Sequence, residues 1–276
     1  MKKLALLLAA LSVASVSYAK EVVPEPVVEE VVVEEPSKSY VVTDKGLFYI
    51  ANDYQELKAL PSFSINAPAG LVPGSGIAFV GISGTRNSHD TDGGFGFGVG
   101  YGNPYESLGG AISLSVGSVD PRDGGSFDRG NINVSAGHIF SEYGLGISVG
   151  SSNIDLWHND SKNKLDPSYY LSATKLLPNE IAPITITVGA GNNMYAKTDE
   201  KGNKNHKVYP FISAAAYILP QLSIIVDYTS DITSAGFGIV PSPKLPVSLI
   251  LGAYDITDET SFGTSFMAGL SAAYTF

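Results

Sequence analysis

Cysteine is absent from all 276 residues, so no disulfide framework, thiol chemistry or cysteine-bound zinc enters the reading. Arginine is nearly absent as well, with Arg86, Arg122 and Arg129 the only examples. With 17 basic against 27 acidic residues and a formal net charge of −10, the chain lacks the clustered cations that neutralise phosphates, which excludes nucleic acid as a partner. Long hydrophobic runs are also missing after the first nineteen residues. Every later apolar stretch is cut by Gly, Pro, Ser or a charge within about a dozen residues, short of the ~20 that a membrane-spanning helix requires. If the rest of the chain crosses a membrane, it must do so with strands.

Lys2 and Lys3, the apolar run Leu4 to Leu11 and the small-residue ending Ser17-Tyr18-Ala19 form the pattern of a secretory signal peptide, so residues 1–19 are expected to be cleaved near Ala19. Residues 20–36 repeat Val, Glu and Pro, a composition that stays extended by proline stiffness and like-charge repulsion, and read as an acidic tether. Residues 37–74 form a pre-barrel segment, either packed at the periplasmic mouth or folded into the lumen as a plug. Within it, Asp53 to Leu60 allows one or two helical turns. Tyr40, Phe48, Tyr49 and Tyr54 are the aromatics expected to fill an inner surface.

From about Gly76 the pattern changes to short segments of period-2 alternation. Phe95, Phe97, Val99 and Tyr101 alternate with Gly94, Gly96, Gly98 and Gly100; Ile184, Ile186 and Val188 with Thr185, Thr187 and Gly189; Leu222, Ile224, Val226 and Tyr228 with Ser223, Ile225, Asp227 and Thr229. Such segments are expected near 76–84, 94–102, 109–118, 131–140, 143–152, 168–176, 184–192, 207–217, 221–229, 233–240, 246–254 and 263–276. That is about twelve strands, an even number, as bacterial single-chain barrels have. Long charged connections alternate with short ones in step with the strand count, apart from the tight turn Ser230 to Ile232. Aromatics sit near segment ends, among them Tyr101, Tyr105, Phe140, Tyr143, Tyr209, Tyr217, Tyr228, Tyr254 and Phe262, where interfacial girdles belong.

The final strand places Phe266, Ala268, Leu270, Ala272, Tyr274 and Phe276 on one face and ends without a polar tail. Together with the leader and the alternation from about Gly76 onward, this terminal Tyr274-Thr275-Phe276 resembles the insertion signal of bacterial outer-membrane β-barrel proteins. The resemblance implies an all-β, antiparallel transmembrane barrel over residues 75–276, placed in the cell outer membrane. It also implies contact with outer-membrane lipid and lipopolysaccharide and with the assembly machinery that reads Tyr274 and Phe276. It implies no particular solute and no oligomeric state.

Candidate chemistry is sparse. Outer-membrane phospholipases, also twelve-stranded, require a lipid-facing Ser with a His. Here His138 shares the lipid-facing row of Ile132, Val134 and Ala136, but no outward serine lies on the neighbouring rows, so no catalytic residue is assigned and no enzyme is expected. Acidic groupings at Asp90 and Asp92, Asp120 and Asp123, Asp155, His158 and Asp160, and Asp255, Asp258 and Glu259 do not match a calcium-loop spacing. They read as solvated loop charge, and no metal or cofactor is assigned.

The glycine row Gly94 to Gly102 alternates strictly and is no dinucleotide fingerprint; it predicts an inner wall without side chains, open to close approach of another backbone. The lumen-facing candidates are Asp227, Ser223, Thr185 and Thr187, with Asp227 a rare inward charge suited to selectivity. The functional expectation is a weakly selective channel for small polar solutes. The alternative is a surface-exposed interaction or structural barrel that contacts host or envelope components through the loops around Trp157, His158 and Lys197 to Lys207.

Overall fold

A computed structural model describes residues 39–42, 48–51, 57–86, 91–117, 127–159, 164–178, 182–197, 207–259 and 263–276, the first two ranges by their backbone alone. The expected leader, the acidic tether and the side chains of Tyr40, Phe48, Tyr49 and Tyr54 lie outside them, as does the stretch 53–56. The remainder of that helical expectation is corrected: residues 57–60 are bends and irregular backbone.

Strands β1 (Ser39–Val42) and β2 (Phe48–Ala51) pair antiparallel as a small separate hairpin. The next twelve close on themselves. They are β3 (Ile77–Arg86), β4 (Thr91–Gly102), β5 (Gly109–Gly117), β6 (Arg129–Phe140), β7 (Leu145–His158), β8 (Ser168–Leu177), β9 (Ile184–Gly191), β10 (Tyr209–Leu219), β11 (Leu222–Thr229), β12 (Ile232–Ile239), β13 (Val247–Tyr254) and β14 (Ser265–Thr275). Each pairs antiparallel with the next, and β14 pairs with β3 from Phe266↔Arg86 to Thr275↔Ile77. The expected antiparallel barrel is therefore the observed one. Closure leaves no unpaired edge in the wall.

Period-2 alternation sorts the side chains as the pleat requires. Val80, Ile82, Phe97, Val99, Ile112, Val149, Leu171, Val188, Ile212, Ile224, Val226, Phe237, Phe266 and Leu270 are all exposed on the outer face. The registers join them laterally, as Val80↔Phe97, Val99↔Ile112, Val149↔Leu171, Val188↔Ile212, Ile224↔Phe237 and Leu270↔Ile82. The result is an apolar belt around the whole barrel. Tyr101 braces it by reaching across Gly110 of β5 to donate its hydroxyl to the Ser135 carbonyl of β6 at 2.8 Å. A Cβ at Gly110 would meet the Ser135 carbonyl oxygen at 2.0 Å and that hydroxyl at 2.6 Å, which is why this position has no side chain.

Two expected placements change. Tyr217 and Tyr254, assigned to interfacial girdles, point inward and are buried. Strand parity decides this, because Tyr217 follows Phe211, Ser213 and Ala215 on the inner row of β10, and Tyr254 follows Ser248 and Ile250 on that of β13. The connection expected from Asn153 onward instead continues β7 as far as His158. A bulge permits the continuation. The β6–β7 register shifts between Ile132 and Val134, Asn153 takes φ 61°, and its N–H is held by Asn133 Oδ1 at 3.0 Å. Asn tolerates the left-handed region better than most residues.

Candidate functional site

The barrel interior is occupied by residues 58–74. This segment has no regular secondary structure, yet every residue from Pro61 to Pro73 except Ser64 is buried. It enters where Lys58 N–H donates to the Pro243 carbonyl at 3.0 Å and leaves where Ser75 N–H donates to the Gly102 carbonyl at 2.7 Å. Pro243 lies in the short β12–β13 connection and Gly102 at the short β4–β5 connection, so entry and exit share the short-turn mouth.

A buried stretch without helix or ladder must find partners for its backbone elsewhere. Pro61, Pro68 and Pro73 remove three donors from the problem, and the wall supplies the rest. Asp227 Oδ2 accepts the N–H groups of Ile65 (3.2 Å), Asn66 (3.0 Å) and Ala67 (2.9 Å) and the Ser64 hydroxyl (3.1 Å), while Asp227 Oδ1 accepts from Thr229 at 2.9 Å. Gly70 N–H donates to Thr174 Oγ1 at 2.8 Å. On the carbonyl side, Ser223 donates to Ser62, Ser213 to Phe63 (3.3 Å), Ser172 to Pro68 (2.5 Å) and Ser148 to Ala69 (2.8 Å). Asn66 Nδ2 completes the tip by donating to Ser234 Oγ at 3.0 Å.

Glycine lets the two backbones approach. A Cβ at Gly70 would sit 2.3 Å from the Gly146 carbonyl oxygen and 2.4 Å from Thr174 N, and one at Gly100 would sit 2.1 Å from the Gly74 carbonyl oxygen. Two glycines of the β4 row are covered in this way: Phe79 lies against Gly98, and Pro73 and Gly74 against Gly100. Phe63, Ile65, Ala69 and Leu71 meet inward Ile139, Ala215, Tyr217, Ile225, Ile250 and Met267 in one apolar cluster.

The opposite mouth is covered from its own side. After β9, Asn193–Tyr195 form a single 3-10 turn that dips inward, and Met194 and Tyr195 pack with Ala67 and Phe211. The Tyr195 ring stands edge-on to Tyr170 at 5.7 Å and tilted against Phe211 at 5.5 Å, and Ser230 Oγ donates to the Met194 carbonyl at 2.8 Å. Beside it, the two-residue β11–β12 turn puts Ser230 and Asp231 at φ 61° and 65°, the primed geometry that suits a hairpin. Lys197 Nζ lies 2.5 Å from Asp231 Oδ2 on this rim; the hydrogen-bonded ammonium holds the Asp231 carboxyl below its usual range. Arg129 is buried at the same mouth between Asp128 (3.1 Å) and Asp92 (3.8 Å).

The sequence-derived candidates fall on this interior. Asp227 and Ser223 are 0 % exposed and both hold the segment. Thr187 shares a 2.8 Å hydrogen bond with Thr174, the receptor of Gly70, and Thr185 is buried two register pairs nearer the short-turn mouth. Asp227 therefore faces the N–H groups of the chain itself and not an open water path. Sequence reasoning missed Ser148, Ser172, Thr174 and Ser213 as partners of the buried backbone and Ser234 as the partner of the Asn66 side chain, and it gave Arg129 and Tyr195 no role.

Other candidates have local partners. His138 Nδ1 meets the Ser107 carbonyl at 2.5 Å and its ring stands edge-on to Phe140 at 4.5 Å. His158 Nδ1 is 3.0 Å from the Asp155 carboxylate. Asp255 accepts the Glu259 N–H at 2.9 Å and so caps its own loop. Asp90, Asp120, Asp123 and Asp160 lie outside the described residues. Among the described residues, no three His, Asp or Glu side chains converge as metal ligands.

No family model and no curated protein matches this sequence. The architecture is similar to that of several solved outer-membrane proteins. An outer membrane channel from Pseudomonas putida F1 shares 12% identity over 75% of this chain and 97% of its own, with a TM-score of 0.47. The calcium-bound outer membrane phospholipase dimer of Salmonella typhi shares 9% identity over 75% and 92%, with a TM-score of 0.44. The Acinetobacter baumannii outer membrane protein Omp33 shares 10% identity over 73% and 98%, with a TM-score of 0.39.

Proposed function

We propose that this chain is an outer-membrane β-barrel that is closed at rest by its own residues 58–74, and that it serves as a structural or interaction barrel rather than a standing pore. The membrane part rests on the apolar belt. Soluble monomers rarely expose contiguous apolar patches beyond a few hundred Å², whereas a belt around a closed antiparallel barrel suits lipid. Lys175, an outward charge within the strands, reaches the Tyr143 carbonyl at the short-turn end, as a snorkelling lysine would. Tyr274 and Phe276, the latter 75 % exposed, are the side chains we assign to insertion and recognition by the assembly machinery. The short-turn mouth is then periplasmic and the long-loop mouth faces outward, toward lipopolysaccharide.

One observation carries the closed state: the buried run Pro61–Pro73, whose backbone is satisfied by wall side chains. Asp227 engaged on Ile65, Asn66 and Ala67 supports this reading over a weakly selective channel open at all times. The outward contact surface we assign to the β6–β7 projection, where Phe127, Leu156 and Trp157 are exposed together and Trp157 Nε1 donates to the Phe127 carbonyl at 3.2 Å. Planar-bilayer recording of the full refolded protein is expected to show no steady conductance. A stable ohmic conductance from the unmodified chain would refute the closed barrel.

A further inference from the structure

The geometry points to an activity behind the closed state: residues 58–74 are a retractable gate, and withdrawing them through the short-turn mouth opens a cation-preferring water path. This goes beyond the closed-barrel reading and rests on it. Because the segment enters beside Pro243 and leaves beside Gly102, at one mouth, its withdrawal unthreads nothing and breaks no pairing between barrel strands. The exit limb ends in Gly74-Ser75-Gly76, with Gly76 at φ 83°, a pivot just before β3.

The way the segment is held favours release. Its backbone is bound by the side-chain oxygens of Asp227, Ser223, Ser213, Ser172, Ser148 and Thr174, partners that water replaces one for one. They satisfy the backbone of the segment while it is in place, and water satisfies both sides once it leaves. The same oxygens, uncovered, line a hydrated conduit. Asp227, the carboxylate that the tip covers, would give that conduit its preference for cations. The one charge of the gate is Lys58 at its entry beside Pro243, and none of residues 59–74, which include those that meet Asp227, carries a countercharge that would stay bound to it.

The test uses the absence of native cysteine. Ser62 Oγ and Ser248 Oγ lie 3.5 Å apart, one on the gate and one on β13, so the pair Ser62→Cys with Ser248→Cys can lock the gate by a single disulfide. Two independent changes loosen it: Asp227→Ala, which removes the tip anchor, and Phe63→Ala with Leu71→Ala, which leaves Asp227 in place. Each is made in the full chain with the cysteine pair, checked for a heat-modifiable folded barrel, and recorded in planar bilayers under a KCl gradient. Both loosened forms, reduced, are expected to open at least about tenfold more often than the parent. Oxidation should silence them and reduction restore them. The Phe63/Leu71 form should prefer K⁺, and adding Asp227→Asn should bring that preference toward unity. Silence of both folded, loosened, reduced forms overturns the gate while leaving the closed barrel intact. Conductance that persists in the oxidised loosened forms also overturns it. Steady conductance from the oxidised parent overturns the closed barrel and the gate together.

Discussion

Replacing Asp227 by asparagine tests how the interior is held, because the amide keeps the shape and one acceptor oxygen but removes the charge. Three N–H donors, from Ile65, Asn66 and Ala67, converge on Oδ2, and the Ser64 hydroxyl at 3.1 Å shares its proton between this oxygen and the Ala67 carbonyl at 2.6 Å. A hydrogen bond to a charged acceptor contributes roughly 1.5–3 kcal/mol and one to a neutral acceptor roughly 0.5–1.5. The loss is thus about 1 kcal/mol per donor, and about 3 kcal/mol for the cluster after allowing for non-additivity. An energy of that size corresponds to roughly a hundredfold change in the exposed population of the segment. Hydrogen–deuterium exchange of the refolded protein reads it directly. Peptides covering residues 61–73 should exchange about a hundredfold faster in Asp227→Asn, while peptides from β4, β5 and β6 stay protected. If exchange over 61–73 changes by less than about threefold in a folded variant, the carboxylate is not what holds the segment.

Three further outcomes follow from particular contacts. Gly70→Val has no room against the Gly146 carbonyl and Thr174 N, and should expose residues 61–73 to protease in a barrel that still forms. Asn153→Val forces a β-branched residue to φ 61° and removes the Asn153 Nδ2 contact with Met194 Sδ, so it should cost about 1–2 kcal/mol in urea unfolding, with Asn153→Gly milder. The Asp231 carboxyl is held below its usual range in the folded rim, so the Lys197–Asp231 pair is present above the ordinary carboxylate range and is lost as the pH falls through the lowered value. Protection of the Ser230–Asp231 turn should therefore decline only on strong acidification, and Asp231→Asn should make it insensitive to pH.

The wall was legible because a half-apolar strand repeats every two residues; the expected strands fall within a few residues of the observed ones, and Asp227, Ser223, Thr185 and Thr187 follow from parity alone. The β7 extension was not, since it depends on Asn133 reaching the backbone of Asn153 across a bulge. Which part of the expected 37–74 segment lies in the lumen was not legible, for a related reason. Aromatics at 40–54 attract attention, whereas Pro61–Pro73 has no period, and its partners are single hydroxyls spread over separate strands. A local signal did exist: the run from Ala59 to Arg86 holds no charge before its last residue, and three prolines keep its first half out of any ladder. An uncharged stretch that can form neither strand nor helix has to be buried by something else.

The segment that fills the barrel leads directly into β3, and β3 is the strand on which β14 closes. The seam of the cylinder and the root of its filling are thus one place in the chain. While β3 and β14 remain apart, the wall lies open along its length beside the incoming segment. Once they pair, the segment is enclosed laterally and only the short-turn mouth is left to it. Sealing and filling therefore share a final step of assembly, and a chain whose segment is misplaced should reveal itself as a barrel that fails to shut.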